Sequence, residues 1–310
     1  MSTGGSGELS LLTASLRCSR VARANHYLPG GTAGAAAAFV MVETPLPWPH
    51  DVGSHPLLEP LGPVLKAHRA RLQAIVPVDG NDADRTRIVV HRRPEGRFRT
   101  FARIERSVAT ARLAEEVEAL LTAPADDTPA TDVLVCTHGS RDVCCGADGM
   151  RLYTELVKAG LPDVRVWRTS HTGGHRFAPT AITFPDGRAW AWLDVELLRG
   201  ITERSLSAAE ASLHDRGCVA FDDPFVQAAD GAVLGVAGWS WLDLARSATV
   251  EGSDRVRHVT LTGEAIDGST VRYRAEVAVS RVLPVPDCGH PLEEARKSSP
   301  ELEIRGLERL

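Results

Sequence analysis

The chain has 310 residues, of which 43% are hydrophobic and 24% are charged, and its formal net charge is −5 at pH 7. These values are typical of an ordinary globular protein and exclude disorder on a large scale. An acidic chain also lacks the basic footprint of a general nucleic-acid-binding protein, so we expect no nucleic-acid partner.

The N-terminal sequence has no features of an export signal or a membrane anchor. Residues 1–15 contain no basic segment followed by an apolar one, so we predict a flexible tail and no signal peptide. The longest apolar run, residues 35–42, is shorter than the roughly 18 to 20 residues that a membrane helix needs. We therefore expect a cytoplasmic protein without a membrane partner.

The first half of the chain has the pattern of one α/β unit, which we assign to residues 16–125. Apolar and β-branched runs predict strands, and apolar residues at helical spacing predict helices. The predicted elements are a strand (35–43), a helix (56–72), a strand (72–78), a hairpin (87–104) and a helix (107–121). The hairpin is rich in arginine, which indicates a solvated edge that blocks association between sheets. A docking surface for an acidic partner is the alternative.

A second unit with the same order of elements is predicted over residues 130–217. Its elements are a strand (131–136), a helix (147–161), a strand (164–168), a hairpin (181–184 with 188–193) and a helix (207–216). Because the order of the first unit recurs, we infer a degenerate tandem duplication. The first copy has no cysteine after its first strand, so we expect it to carry no cofactor.

The order of elements in the second unit, with Pro179 directly before its hairpin, resembles the thioredoxin fold. In that fold a proline at this point is usually cis and faces the active site. The predicted fold class is therefore α/β, with two thioredoxin-like domains in a degenerate tandem repeat. Residues 218–310 are predicted to form a β-rich extension, because residues 257–282 alternate with period two around a turn and so predict a β-hairpin.

Six cysteines are present, and three of them lie in the segment CTHGSRDVCCG, residues 136–146. The segment HTGGH, residues 171–175, follows closely. In a reducing compartment, clustered cysteines indicate metal binding or redox chemistry in preference to disulfides. We interpret Cys18 and Cys218, which lie outside the cluster, as small buried apolar residues. The role of Cys288 is left open.

Two familiar templates do not fit these motifs. A dithiol oxidoreductase needs the spacing C-x-x-C, whereas Cys144 and Cys145 are adjacent and Cys136 lies nine residues before Cys145. His171 and His175 have the spacing of a zinc protease motif. However, the Thr-Gly-Gly between them favours no helix and supplies no glutamate base.

A Rieske motif fits only in part. Cys136 and His138 match its first half, C-x-H, but the second half is missing from the sequence that follows. We therefore interpret His138 as a loop residue or as a residue that supports the ligands.

A C-x8-C pair and an H-x3-H pair remain, in the order CTHGSRD, CG and HTGGHRFAP. This arrangement closely resembles the sucrase/ferredoxin-like family of thioredoxin-fold proteins. The resemblance implies a 2Fe-2S cluster held by Cys136, Cys145, His171 and His175. Thiolates suit ferric iron, and neutral imidazoles leave the cluster less negative than four thiolates would.

The function that the resemblance implies is electron transfer or redox sensing with an unknown redox partner protein. Loss of the second ring proton from a bound imidazole would couple reduction to protonation. Two alternatives stay open: a structural zinc ion on the same four ligands, and a thiol-dependent redox enzyme that uses Cys144. Cys144 cannot easily replace Cys145 as a ligand, because the side chains of successive residues diverge.

Overall fold

The computed structural model describes residues 17–78, 84–93, 100–123 and 130–310. The predicted N-terminal tail and the tip of the first hairpin lie outside the described residues. Within the described ranges, no helix has the length and apolar character needed to cross a bilayer.

Within these ranges, nine strands form one mixed sheet with the order β4-β3-β1-β2-β6-β5-β7-β8-β9. The strands are β1 (Ala38–Glu43), β2 (Ala70–Ile75), β3 (Arg85–Arg92), β4 (Ala102–Ala109), β5 (Thr131–Cys136), β6 (Val164–Thr169), β7 (Ala181–Phe184), β8 (Arg188–Trp190) and β9 (Asp215–Cys218). β1 pairs in parallel with β2, and β5 with β6, whereas the other neighbours are antiparallel.

The two halves of the chain have the same strand neighbours. The order β2-β1-β3-β4 in the first half matches β6-β5-β7-β8 in the second, and the halves meet at the pair Ile75 and Thr169. Both predicted hairpins are confirmed, as β3 with β4 and β7 with β8. The peptide bond between Ala178 and Pro179, just before β7, is cis, as the resemblance predicts. The domain boundaries themselves stay predictions.

Helices connect the strands and cover the sheet. They are α1 (Cys18–Ala24), α2 (Gly62–Ala67), α3 (Leu113–Thr122), α4 (Met150–Ala159), α5 (Val195–Thr202), α6 (Ala208–Ser212) and α7 (Pro224–Ala237).

The long helix predicted over residues 56–72 is wrong in extent. The structure has a 3-10 turn at Glu59–Leu61 followed by the short helix α2, and β2 already begins at Ala70. Pro60 and Pro63 explain the difference, because proline has no N–H to donate and is tolerated only in the first turn of a helix.

The helix predicted over residues 207–216 is also too long. Only α6 forms there, and β9 takes the following residues. A helix that the sequence analysis missed, α5, comes directly after β8. Its start is capped by Asp194, whose side chain accepts the N–H of Leu197 at 2.8 Å.

The central strands are apolar on both faces because both faces are covered. In β1, for example, Val40 lies on the face of the sheet that packs in the core of the first half. Phe39 lies on the opposite face, in an inner core. That inner core also contains Leu134 of β5 and Phe184 of β7. The inner faces of the two halves therefore pack against each other.

The arginine-rich hairpin is not simply a solvated edge. β4 is an edge strand, but Arg103 within it is buried, and its Nε donates to Asp132 of β5 at 2.8 Å. The Nε2 atom of His91 in β3 lies 3.0 Å from the same carboxylate. For Arg103 the prediction of a solvated side chain is therefore wrong, because this arginine joins the two halves.

The C-terminal region forms a separate antiparallel sheet that is larger than the predicted hairpin. Within the described residues it has four strands: β10 (Ala245–Gly252), β11 (Val256–Glu264), β12 (Thr270–Pro284) and β13 (Ser298–Arg309), in chain order. The predicted hairpin is confirmed as β11 and β12. Val226 and Val233 of α7 share one core with Val259 and Leu261 of β11, so α7 attaches this sheet to the second half.

Candidate metal centre

The predicted ligands lie at the ends of two parallel strands in the middle of the large sheet. Cys136 ends β5, and His171 follows the end of β6. Because β5 and β6 run in parallel, these residues lie at the same edge of the sheet. Cys145 begins a π-helical turn, Cys145–Gly149, that leads into α4. The ligand atoms of Cys136, Cys145 and His171 all lie within 4.8 Å of one another.

The turn that carries Cys145 is fixed by one carboxylate and by two glycines. Asp142 Oδ1 accepts the N–H groups of Cys144 and Cys145, at 2.8 and 3.2 Å, and so caps the helical segment. A Cβ at Gly149 would collide with the carbonyl oxygen of Cys136. A Cβ at Gly146 would lie 2.5 Å from the Cα of Gly139. Backbone packs directly on backbone here, which only glycine allows.

The fourth predicted ligand, His175, lies at the edge of this group. Its side chain is 20% exposed, and its ring centroid is 6.2 Å from that of His171. Its Nδ1 atom is 3.2 Å from Asp142 Oδ2 and 3.3 Å from the sulfur of Cys18. The structure therefore brings three of the four predicted ligands together and places His175 beside them, next to a cysteine that the prediction did not include.

Hydrogen bonds set the charge of the buried thiols. The thiol of Cys145 donates to Cys136, and together with His171 it lowers the pKa of Cys136 well below its usual range. The same interaction and burial raise the pKa of Cys145. The pair therefore holds one thiolate next to an imidazole, which is a nucleophilic and metal-binding arrangement.

His138 supports His171 from behind, as the sequence analysis proposed. Its Nδ1 accepts the N–H of His171 at 3.3 Å, and its Nε2 lies 2.9 Å from the carbonyl oxygen of Pro49. Burial lowers the pKa of His138, so the neutral ring is favoured. A neutral ring that donates from Nε2 and accepts at Nδ1 satisfies both contacts.

Two arginines behind the site, the buried Arg216 and the partly buried Arg71, were missed by the sequence analysis. Arg71 donates to the carbonyl of His171 at 3.0 Å, and Arg216 donates to the carbonyl of Gly173 at 3.0 Å. Burial, together with repulsion from Arg176 and Arg71, lowers the pKa of Arg216 to about 9, so it stays charged at neutral pH. Among the described carboxylates, none forms an ion pair with Arg71 or Arg216. No local pattern predicts these contacts, since Arg71 and His171 are 100 residues apart.

Three further cysteines form a second group beside the first. Cys18 is buried, as predicted, and its sulfur lies 3.6 Å from that of Cys144 and 3.4 Å from that of Cys288. Cys144 points away from Cys145 and into this second group. Cys218 is buried elsewhere, with its sulfur 3.6 Å from the carbonyl of Asp186.

Comparison with known proteins shows that the chain matches one protein family. The family profile described as sucrase/ferredoxin-like matches residues 29–217. Altered inheritance of mitochondria protein 32 from Meyerozyma guilliermondii is 37% identical over 65 residues, which cover 19% of this chain and 23% of that protein. The chain thus spans about a quarter of the relative's length. No solved structure matches the chain significantly.

Proposed function

Because the chain belongs to the sucrase/ferredoxin-like family and gathers cysteines and histidines that suit a metal, we propose that it is a 2Fe-2S protein that acts in electron transfer or redox sensing. The proposed ligands are Cys136, Cys145, His171 and His175. The observation that carries the proposal is the convergence of the first three, from three separate elements, within 4.8 Å. Two thiolates and two imidazoles are also the donor set of Rieske-type 2Fe-2S centres.

The burial of the proposed ligands suits one-electron exchange with a protein. A bound 2Fe-2S cluster would supply a site that accepts and releases one electron. Cys136 and Cys145 are fully buried and shield the sulfur side from water. His171 is partly exposed, and the side chain of His175 is 20% exposed. The histidine side is therefore where we expect the unknown redox partner protein to dock.

The contact between His175 and Asp142 supports the role of this histidine. When Nδ1–H donates to a carboxylate, Nε2 is left with its lone pair as the ligand atom, an arrangement common at metal sites. Although burial opposes ionisation, the hydrogen bond with His175 lowers the pKa of Asp142. In this arrangement the ring proton that proton-coupled reduction would involve lies between Nδ1 and Asp142 Oδ2.

The proposal also covers the domain structure of the chain and the cellular compartment of the protein. We infer that residues 16–125 and 130–217 are degenerate thioredoxin-like repeats, and that only the second holds a cluster. The matching strand orders of the two halves support this inference, as does the absence of a cysteine after the first strand of the first repeat. A reducing cytoplasm would keep the thiols available for metal.

Metal analysis tests the proposal. Protein purified anaerobically should contain about two iron atoms and two sulfide ions per chain and should be red-brown. The alternative, a zinc ion on the same ligands, is colourless. Stoichiometric zinc without sulfide, after expression with adequate iron, would contradict the proposal.

Single substitutions test the ligands. Cys136→Ser, Cys145→Ser, His171→Ala and His175→Ala should each bleach or alter the visible spectrum, because each removes a donor atom. Cys218→Ser is the matched control, since Cys218 is equally buried but lies outside the site. The assignment fails if Cys144→Ser loses the cluster while Cys145→Ser retains it.

A further inference from the structure

Three cysteines that the proposed cluster does not use meet at one point. Cys18 begins α1, Cys144 precedes the π-helical turn, and Cys288 lies in the connection between β12 and β13. Cys18 and Cys144 are 126 residues apart in the chain, and Cys18 and Cys288 are 270 residues apart. The meeting is therefore a product of the tertiary fold. Cys18 and Cys288 also lie outside the segment that the family profile matches.

The spacing of the three sulfurs is that of ligands around one metal ion. The sulfur–sulfur distances are 3.6 Å for Cys18 and Cys144, 3.2 Å for Cys144 and Cys288, and 3.4 Å for Cys18 and Cys288. A disulfide needs about 2.05 Å and can join only two of the three. Tetrahedral zinc with bonds of about 2.3 Å places its sulfurs about 3.8 Å apart. A small expansion of the observed triangle would reach that geometry.

A carboxylate completes the group. One oxygen of Asp142 lies with the three sulfurs inside a set whose ligand atoms are all within 4.8 Å of one another. Its Oδ2 is 3.7 Å from the sulfur of Cys18, while Oδ1 is held by the N–H groups of Cys144 and Cys145. The carboxylate therefore faces the sulfurs, although its Oδ2 atom also lies 3.2 Å from Nδ1 of His175.

The surroundings stabilise negative sulfur. Ser19 donates to the sulfur of Cys144 at 3.4 Å, and the N–H of Cys18 lies 3.4 Å from the sulfur of Cys288. Such donors around the ligands are typical of metal–thiolate sites.

An ion can reach this group from solvent. Cys288 is partly exposed, and with Asp142 it lines an open cleft of about 380 Å³. Cys18 and Cys144, by contrast, are fully buried. The group is therefore shielded by protein around Cys18 and Cys144 and open to solvent at Cys288. A metal ion could enter such a site after the protein has folded.

We propose that Cys18, Cys144 and Cys288, with Asp142 as the fourth ligand, form a second metal site that binds one zinc ion. Three thiolates and one carboxylate in a closed tetrahedral set match a structural zinc site. Bound zinc would link α1 and the connection between β12 and β13 to the loop that carries Cys145. The site uses none of the sulfurs of the proposed cluster, but it borders the cluster, because Asp142 and Cys18 both contact His175.

The test uses the whole 310-residue chain. Elemental analysis should find one zinc ion per chain in addition to the iron. Zinc affinity, measured by competition with a chromophoric chelator, should fall by more than about 100-fold in Cys288→Ser, because a ligand is lost. Cys288 lies in a loop and is partly exposed, so this variant leaves the core intact. The visible spectrum of Cys288→Ser should match that of the wild type.

Two controls separate this site from the first. Cys218→Ser should bind zinc as tightly as the wild type, and Cys136→Ser should keep its zinc while losing iron. The proposal is overturned if the wild type takes up no zinc, or if Cys288→Ser and Cys18→Ser both bind it with unchanged affinity. A disulfide between Cys144 and Cys288, found by peptide mapping of anaerobically purified protein, would also overturn it, as would loss of the zinc in Cys136→Ser.

Discussion

At the level of single residues, the notable feature of the candidate centre is the positive charge of two arginines behind it. Arg216 is buried and Arg71 is partly buried, and they donate hydrogen bonds only to carbonyl and hydroxyl oxygens among the described residues. A buried cation without a carboxylate partner is costly unless a negative group lies nearby. The thiolate of Cys136 is such a group, since its negative charge raises the pKa of Arg216 and so opposes the effect of burial.

The arginines should raise the reduction potential of the centre, because they stabilise the added electron. Replacing Arg216 by Met should therefore lower the potential. A lost interaction on the order of 1 kcal/mol corresponds to about 40 mV for one electron. The measurement is a redox titration followed by the visible spectrum, on samples of equal iron content.

Arg216→Lys is the matched variant for this experiment. It keeps the positive charge, so its potential should stay closer to that of the wild type than the potential of Arg216→Met. A potential that is unchanged or higher in Arg216→Met would show that this arginine serves only to hold the loop around Gly173.

At the level of secondary structure, the site depends on how closely the start of α4 lies against β5. The π-helical turn Cys145–Gly149 touches the strand backbone, and the absence of a side chain at Gly149 permits the contact with the Cys136 carbonyl. π-helical turns are rare and often occur at functional sites. Here the turn aims the sulfur of Cys145 at that of Cys136.

Gly149→Ala should destabilise the protein and weaken cluster retention. The added methyl group would push the turn away from β5, and overpacking of this kind costs about 1–3 kcal/mol. Denaturant unfolding of the metal-free protein measures the loss. Gly62→Ala is the control, because no atom lies within 4 Å of the added Cβ there. Equal stabilities for the two variants would contradict the close packing described for Gly149.

At the level of the whole molecule, one buried carboxylate joins the two halves. Asp132 of β5 lies 3.0 Å from His91 of β3 and accepts hydrogen bonds from Arg103 of β4 at 2.8 Å and Trp167 of β6 at 2.7 Å. The ring of His91 also stacks on Phe184 at 4.0 Å. Burial outweighs the attraction to Asp132 and lowers the pKa of His91. For Asp132, burial is outweighed by His91 and Arg103, so its pKa is lowered too.

Both shifts make the protein less stable in acid. A lowered pKa means that the unfolded state binds more protons, so stability rises with pH. The contribution of His91 to the free energy of unfolding is complete above its unfolded-state pKa of about 6.5. The contribution of Asp132 is complete above its unfolded-state pKa of about 3.8. Each is lost as the pH falls below that value towards the lower folded pKa. For His91 the slope is at most about 1.4 kcal/mol per pH unit.

His91→Gln should remove this slope. The free energy of unfolding of the wild type should decline as the pH is lowered from 6.5, and that of the variant should decline less. Measurements at pH 8 give the cost of the lost packing on Phe184, which is independent of pH. Parallel curves for the two proteins would mean that His91 does not titrate as described.

The sequence by itself determined the features that depend on neighbouring residues. The hairpins and the strands of both halves other than β9 were predictable, because alternation and turn residues act over a few positions. The grouping of Cys136, Cys145 and His171 was implied by the family resemblance that two short motifs carry, because such motifs are read from neighbouring residues. The helix predicted over residues 56–72 is wrong in extent although its signal is local, because Pro60 and Pro63 limit the helical segments there to short turns.

The tertiary structure alone decided which distant side chains meet. Arg71 reaches His171 across 100 residues, and Cys18 reaches Cys288 across 270 residues. Arg103 lies on an edge strand, and it is buried only because the inner faces of the two halves pack together. Each of these residues, taken in its local sequence, resembles a solvated or simply apolar position. Long-range contacts set its actual surroundings, because burial and charge depend on what the completed fold places around a side chain.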